Sequence, residues 1–277
     1  MKKKIRVFVL LALVVIVLSI SFAYILKNKS FGHKKIKVSG NIEATDVRLS
    51  FRAGGQIEEL LADEGMSVKA GQVVARLNTD ELTKIKNEAM ASLKAAEYSL
   101  SLSKDDYVRA ENLFNVGSIS AQRRDEAKTR TETSNANVDA LRASLELADT
   151  RLGFAELASP INGFVLVKSA EQGEVVQTGA TVFTAADLND IWLTAYINET
   201  DLGRVKLNQE ANIKTDTYPR KIYKGRISFI SQQAEFTPKQ IQTSEERVKL
   251  VYRIKIKLEN PNLELKPGMP ADGYIIE

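Results

Sequence analysis

Residues 55–77 read "GQIEELLADEGMSVKAGQVVARL", and residues 163–185 read "GFVLVKSAEQGEVVQTGATVFTA". At a constant offset of 108 (55 to 163), Gly55, Gly65 and Gly71 meet Gly163, Gly173 and Gly179. Ala62, Val68 and Val74 likewise meet Ala170, Val176 and Val182. Each copy is a set of short β-branched runs punctuated by glycine turns, such as Glu64-Gly65 and Lys69-Ala70-Gly71. One copy alone has too little surface to bury its apolar face. Two copies can cover each other, so the expectation is a single small β-domain made of two facing halves.

Between the copies the apolar spacing changes from two to alternating three and four. Leu82, Ile85, Ala89, Leu93, Ala96, Leu100, Ser103, Tyr107, Ala110 and Phe114 form one series. A second runs through Ala127, Thr131, Ser134, Val138, Leu141, Leu145, Ala148, Leu152 and Ala155. This is the seam of a left-handed coiled coil, with charged and polar residues on the remaining faces. The break "NVGSIS", 115–120, supplies Gly117 for a left-handed helix end and Ser118 or Ser120 for the next N-cap. A break so short predicts an antiparallel hairpin, each arm about 36 residues and roughly 50 Å long. Its two ends meet at the base, so the insertion costs the host domain little. Ala, Ser and Thr at many seam positions make it narrow, better suited to an arm than to an enzyme.

The catalytic inventory is thin. The 277 residues contain no cysteine, which excludes disulfides, thiolate nucleophiles and Cys-based metal sites. The one histidine, His33, lies in the basic stretch "KNKSFGHKKIK" and reads as a solvated linker residue. No phosphate-cradling glycine loop of the GxxxxGK[ST] type occurs. A formal net charge of +4 is too dilute to argue for nucleic acid. No catalytic, cofactor-binding or metal-binding residue is assigned, and the chain is not expected to be an enzyme.

After "MKKKIR", residues 7–26 run twenty positions without a charge. That length spans the hydrocarbon core of a bilayer, roughly 30 Å. Ser21-Phe22-Ala23 loosely imitates a signal-peptidase site, but the apolar run continues past it. The reading is an uncleaved anchor, with cleavage of residues 1–23 left open. Lysines on both sides leave the positive-inside rule nearly silent on orientation. From about residue 187 the period is again two: "IWLTAYI" puts Ile191, Leu193, Ala195 and Ile197 on one face. "YKGRISFIS" and "VYRIKIKLE" repeat the pattern, as in a small antiparallel β-barrel. The polar stretch "QQAEFTPKQIQTSEER" is too long for a tight hairpin loop.

The repeat resembles the lipoyl or biotinyl carrier fold, but the coiled coil occupies the junction where that fold carries its lysine. No carrier tip survives, and no cofactor is expected. The order anchor, half-sandwich, helical hairpin, half-sandwich, barrel resembles HlyD-type periplasmic adaptors, or membrane fusion proteins. "LASPINGFV", 157–165, is similar to the family's Ala-Pro-x-Asp-Gly stretch, with Ser159 and Asn162 as departures. "AEFTPK" looks most like the YbhG proteins, adaptors of ABC-type exporters.

The resemblance implies an α+β chain divided as follows. Residues 1–35 would be a cytoplasmic basic N-terminus, one transmembrane helix and a linker. Residues 36–78 and 158–186 would form the lipoyl-like barrel-sandwich hybrid, 79–157 the hairpin and 187–277 the barrel. It implies an inner-membrane, single-pass protein with its bulk in the periplasm. Its partners would be an ABC-type permease and ATPase, a TolC-like outer-membrane channel, bilayer lipid and further copies of itself in a hexamer, with no nucleic acid. In "RAENLFNVGSIS", Arg109, Leu113 and Ser120 stand at intervals of four and seven around Gly117. This matches the Arg-Leu-Ser motif by which such tips meet the channel. Plainer readings stand beside it: Ser120 as a helix cap, Arg109 as a solvated charge, Leu113 folded back over Phe114. Alternatives are an adaptor in a single-membrane cell and a membrane-tethered carrier domain.

Overall fold

The computed structural model describes residues 36–236 and 250–276. The apolar run 7–26, His33 and most of the polar stretch 233–247 lie outside them. Four strands come first: β1 (Ile36–Ser50), β2 (Gly55–Leu60), β3 (Ser67–Val68) and β4 (Val73–Leu77). Two long helices follow, α1 (Asp80–Asn115) and α2 (Ala121–Gly153). Then come β5 (Glu156–Ala158), β6 (Gly163–Lys168), β7 (Val175–Val176) and β8 (Thr181–Asn198). The single-turn α3 (Glu199–Leu202) precedes β9 (Glu210–Thr215), β10 (Tyr223–Phe236), β11 (Leu250–Leu258) and β12 (Pro270–Ile275). They fall into two compact units, residues 46–187 and residues 36–45 with 188–276.

In the first unit the repeat pairs with itself reciprocally. Gly55 is the Cα partner of Val176, and Gly163 of Val68. Hydrogen bonds obey the same exchange. The Gly65 N–H donates to Val165 O at 2.9 Å, and the Gly173 N–H to Ile57 O at 2.9 Å. The Gly71 N–H donates to Ser159 O at 2.8 Å, and the Gly179 N–H to Phe51 O at 3.0 Å. Each half therefore completes the other's backbone pairing, which neither could do alone. Ala62, Val68, Val74, Ala170, Val176 and Val182 are all buried in one shared core. Gly65, Gly71, Gly173 and Gly179 all have φ between 80 and 86°, the left-handed region these turns require. Gly163 is needed for another reason: a Cβ there would lie 2.3 Å from Ala186 O.

The second unit is a barrel. Strands run β1-β12-β9-β10-β11-β8, and β1 pairs with β8 to close the circuit. Closure brings β1 so near β8 that a Cβ on Gly40 would lie 1.9 Å from Thr194 O. Ile191, Leu193, Ala195 and Ile197 point inward with Ile213, Ile227, Ile254 and Ile256, as the alternation predicts. The first strand departs from the expected division at residue 36. Ile36 to Asn41 pair with Ile275 to Pro270, and Ile36, Val38 and Ile42 lie in the barrel core. Residues 36–45 thus belong with the barrel rather than the sandwich, because the first part of β1 pairs with β12 and packs into the barrel core.

Candidate functional site

The helices α1 and α2 pair along the foreseen seam. Ala96, Leu100 and Val138 form its buried centre, flanked by Leu93 and Leu141. Thr131 Oγ1 donates across the seam to Ser103 O at 2.9 Å. At the base one position differs from expectation: Ile85 is 40 % exposed, while the next residue, Lys86, is half-buried. Its ammonium reaches Asp149 at 2.5 Å, an ion pair that a purely apolar pattern search passes over. The pairing leaves the distal turn, residues 113–120, as the presented end of the hairpin.

That end is held by its backbone. Gly117 adopts φ 74°. Its N–H donates to Phe114 O at 2.9 Å, and the Ser118 N–H to Leu113 O at 2.8 Å. These are the two bonds of a Schellman stop, which satisfies carbonyls that the helix end would otherwise leave unpaired. Ser120 is extended and caps α2, its hydroxyl accepting from the Arg123 N–H at 3.4 Å. Ser120 is thus a cap with its other face open to solvent.

The side chains divide into those that close the end and those that stand exposed. Phe114 is half-buried beneath the Arg124 guanidinium, 4.5 Å from the ring centroid. A hydrogen bond to Asp125 is the chief reason the Arg124 pKa lies above its ordinary value, with the charges of Asp125 and Glu111 adding to it. Leu113, by contrast, is 46 % exposed. Arg109, one turn earlier on the same ridge, is exposed and paired with Asp106. The sequence reading missed Val116, which at 74 % is the most exposed large apolar side chain among the described residues. Its signal was available: an apolar residue directly before a helix-stopping glycine has no turn above to cover it. Arg109, Leu113, Val116, Gly117 and Ser120 are thus all exposed at or beside the distal turn. Among the described residues no cluster of His, Cys, Asp or Glu could hold a metal. Nor is any described helix long and apolar enough to cross a membrane.

Comparison with known proteins places this geometry. Residues 46–187 match the CzcB-like barrel-sandwich hybrid domain, and residues 191–272 the YknX-like β-barrel domain. The UPF0194 membrane protein of Enterobacter sp. (strain 638) is 30 % identical, with 95 % of each chain covered. A UPF0194 membrane protein of Yersinia pseudotuberculosis serotype O:3 (strain YPIII) is 28 % identical over 84 % of this chain and 87 % of its own. In three dimensions the chain resembles the membrane fusion protein Spr0693 of Streptococcus pneumoniae R6, with TM-score 0.69 and 16 % identity. That match covers 87 % of this chain and 98 % of the other. It also resembles MacA of Actinobacillus actinomycetemcomitans, with TM-score 0.68 and 22 % identity over 88 % and 79 % of the two chains. The class is a membrane fusion protein. Within it, this chain belongs to the HlyD-type periplasmic adaptor family.

Proposed function

We propose that this chain is the periplasmic adaptor of a tripartite exporter. It links an inner-membrane transporter of the ABC type to a TolC-like outer-membrane channel. Residues 7–26 anchor it in the inner membrane, and the bulk of the chain stands in the periplasm. Six copies pack as a ring, their hairpins forming a tube toward the channel. The chain breaks no bond: it seals a path and couples conformations, while ATP hydrolysis belongs to the transporter.

The observation that supports this most is the tip. A Schellman stop and a serine cap fix the backbone of the turn beside which Leu113 stands exposed, one helical turn from Arg109. An exposed leucine beside an arginine on a rigid surface has the composition of an interface hot spot. The test uses the absence of cysteine. Leu113→Cys introduces the sole thiol, and a short bifunctional crosslinker is applied to intact cells. Capture of a TolC-like outer-membrane protein from position 113 is expected. Normal export with crosslinks only to other copies of the chain would overturn the reading in favour of an adaptor that reaches no outer-membrane channel.

A further inference from the structure

At one end of the barrel the chain makes a turn whose apex is an exposed leucine. Lys206 to Gln209 close on themselves, the Gln209 N–H donating to Lys206 O at 3.3 Å. The Gln209 side chain accepts from the Lys206 N–H at 2.8 Å and donates through Nε2 to Ile276 O at 2.9 Å. The Asn208 N–H donates to Ile227 O at 2.8 Å. Asn208 itself has φ 64°, one of two non-glycine residues among those described that sit in the left-handed region. Strain of this kind persists only where the surroundings over-determine it. Here four hydrogen bonds hold it, and what they hold out is Leu207, 59 % exposed. A loop serving only to join α3 to β9 has no need of a leucine at its apex.

The position of the turn says what it faces. Ile36, where the described chain starts, pairs with Ile275, and Ile275 with Ala211. The turn at 206–209 runs straight into β9 at Glu210, so it lies at the same end of the barrel as Ile36. Only nine residues, 27–35, separate Ile36 from the apolar run 7–26. Whatever path they take, they reach at most about 30 Å. They carry four lysines, Lys27, Lys29, Lys34 and Lys35, and no acidic residue. Lys206, beside the apex, has no ion-pair partner among the described residues.

We infer that the Lys206–Gln209 turn is a membrane-contact element, seating Leu207 in the headgroup boundary of an anionic bilayer with Lys206 against lipid phosphate. The inference rests on the proposed anchor. The anchor limits the distance, the lysines favour a negative surface, and the tied turn supplies an apolar point that loses little freedom on insertion. Seating the rim would also set the height of the barrel above the bilayer.

The experiment takes the full chain, in which Leu207→Cys is the only thiol, labels it with an environment-sensitive fluorophore and reconstitutes it in phosphatidylcholine–phosphatidylglycerol vesicles. Ile222→Cys serves as reference: it is 56 % exposed and lies in the loop leading to Tyr223, at the opposite end of β9 from Glu210. Emission from position 207 should shift to the blue and be quenched by spin-labelled lipid, while position 222 stays water-like. The shift should weaken when phosphatidylglycerol is omitted and with Lys206→Glu. An integrated chain, resistant to alkaline carbonate, whose position-207 label stays water-like overturns the docking alone. Release of the whole chain by carbonate overturns the anchor and the docking with it. A label sequestered only when a transporter is co-reconstituted overturns the bilayer as partner in favour of protein.

Discussion

Replacing Leu113 with aspartate separates the role of the hairpin tip from the stability of the hairpin. The side chain is outside the seam core formed by Ala96, Leu100 and Val138, so folding loses little. Helix propensity costs at most about 0.7 kcal/mol, and an acidic residue in the last turn of α1 adds roughly 0.3–1 kcal/mol against the helix dipole. The tip contact loses more. Removing a leucine that would be fully covered in the complex forfeits about 1.5–3 kcal/mol. Leaving an unpaired carboxylate in its place costs at least about 2 kcal/mol further. The sum, about 4 kcal/mol or more, weakens each tip contact by roughly a thousandfold at 1.4 kcal/mol per decade. The assay compares export, co-purification of the channel, helical content by circular dichroism and membrane attachment. The variant should keep the last two and lose the first two, while Leu113→Ala falls between. Undiminished export by Leu113→Asp would remove the tip from the mechanism.

Two further outcomes follow from the fold. Gly163→Ala should destabilise the sandwich by about 3 kcal/mol in chemical denaturation, because the new methyl meets Ala186 O at 2.3 Å. Gly153→Ala, with nothing within 4 Å and a helical backbone, should be neutral or gain up to about 1 kcal/mol. Tyr223 supplies a pH test in the barrel. Burial, and then the 2.9 Å bond it donates to Glu264, push its pKa up to about 12, against about 10 in the unfolded chain. The folded state therefore holds that proton more tightly. Its contribution is complete below pH 10 and is lost as pH rises from about 10 to about 12. Tyr223→Phe should flatten that limb of the stability–pH curve, and an unchanged limb would place the alkaline sensitivity elsewhere.

What the residues disclosed in advance depended on whether a feature is written in local chemistry. Left-handed turns need glycine, so Gly65, Gly71, Gly173 and Gly179 marked the two halves 108 positions apart (65 to 173) without any structural knowledge. The seam was legible because three-four spacing is the helix's own period. It failed only at Ile85, which is exposed, while its neighbour Lys86 is half-buried and pairs with Asp149. The split of β1 was not legible: "IKVSGNIEATDVRLS" contains no break, and which residues pair with β12 is decided by a strand more than two hundred residues away. At the tip, spacing brought out Arg109, Leu113 and Ser120. It could not show that Arg124 lies over Phe114, which depends on how the second helix returns past the first.

The mount of the hairpin is open to one direct measurement. Ser67 and Phe164 are Cα partners, and so are Gln56 and Val175, their counterparts under the exchange of halves. Cysteine pairs placed at 67 with 164, and at 56 with 175, in a chain otherwise free of thiols should each oxidise to a disulfide within one molecule, leaving the mobility of a monomer. Thiols that stay free, or bridges that form only between molecules, would mean that the two glycine-marked segments do not share a base and that the arm does not stand on them.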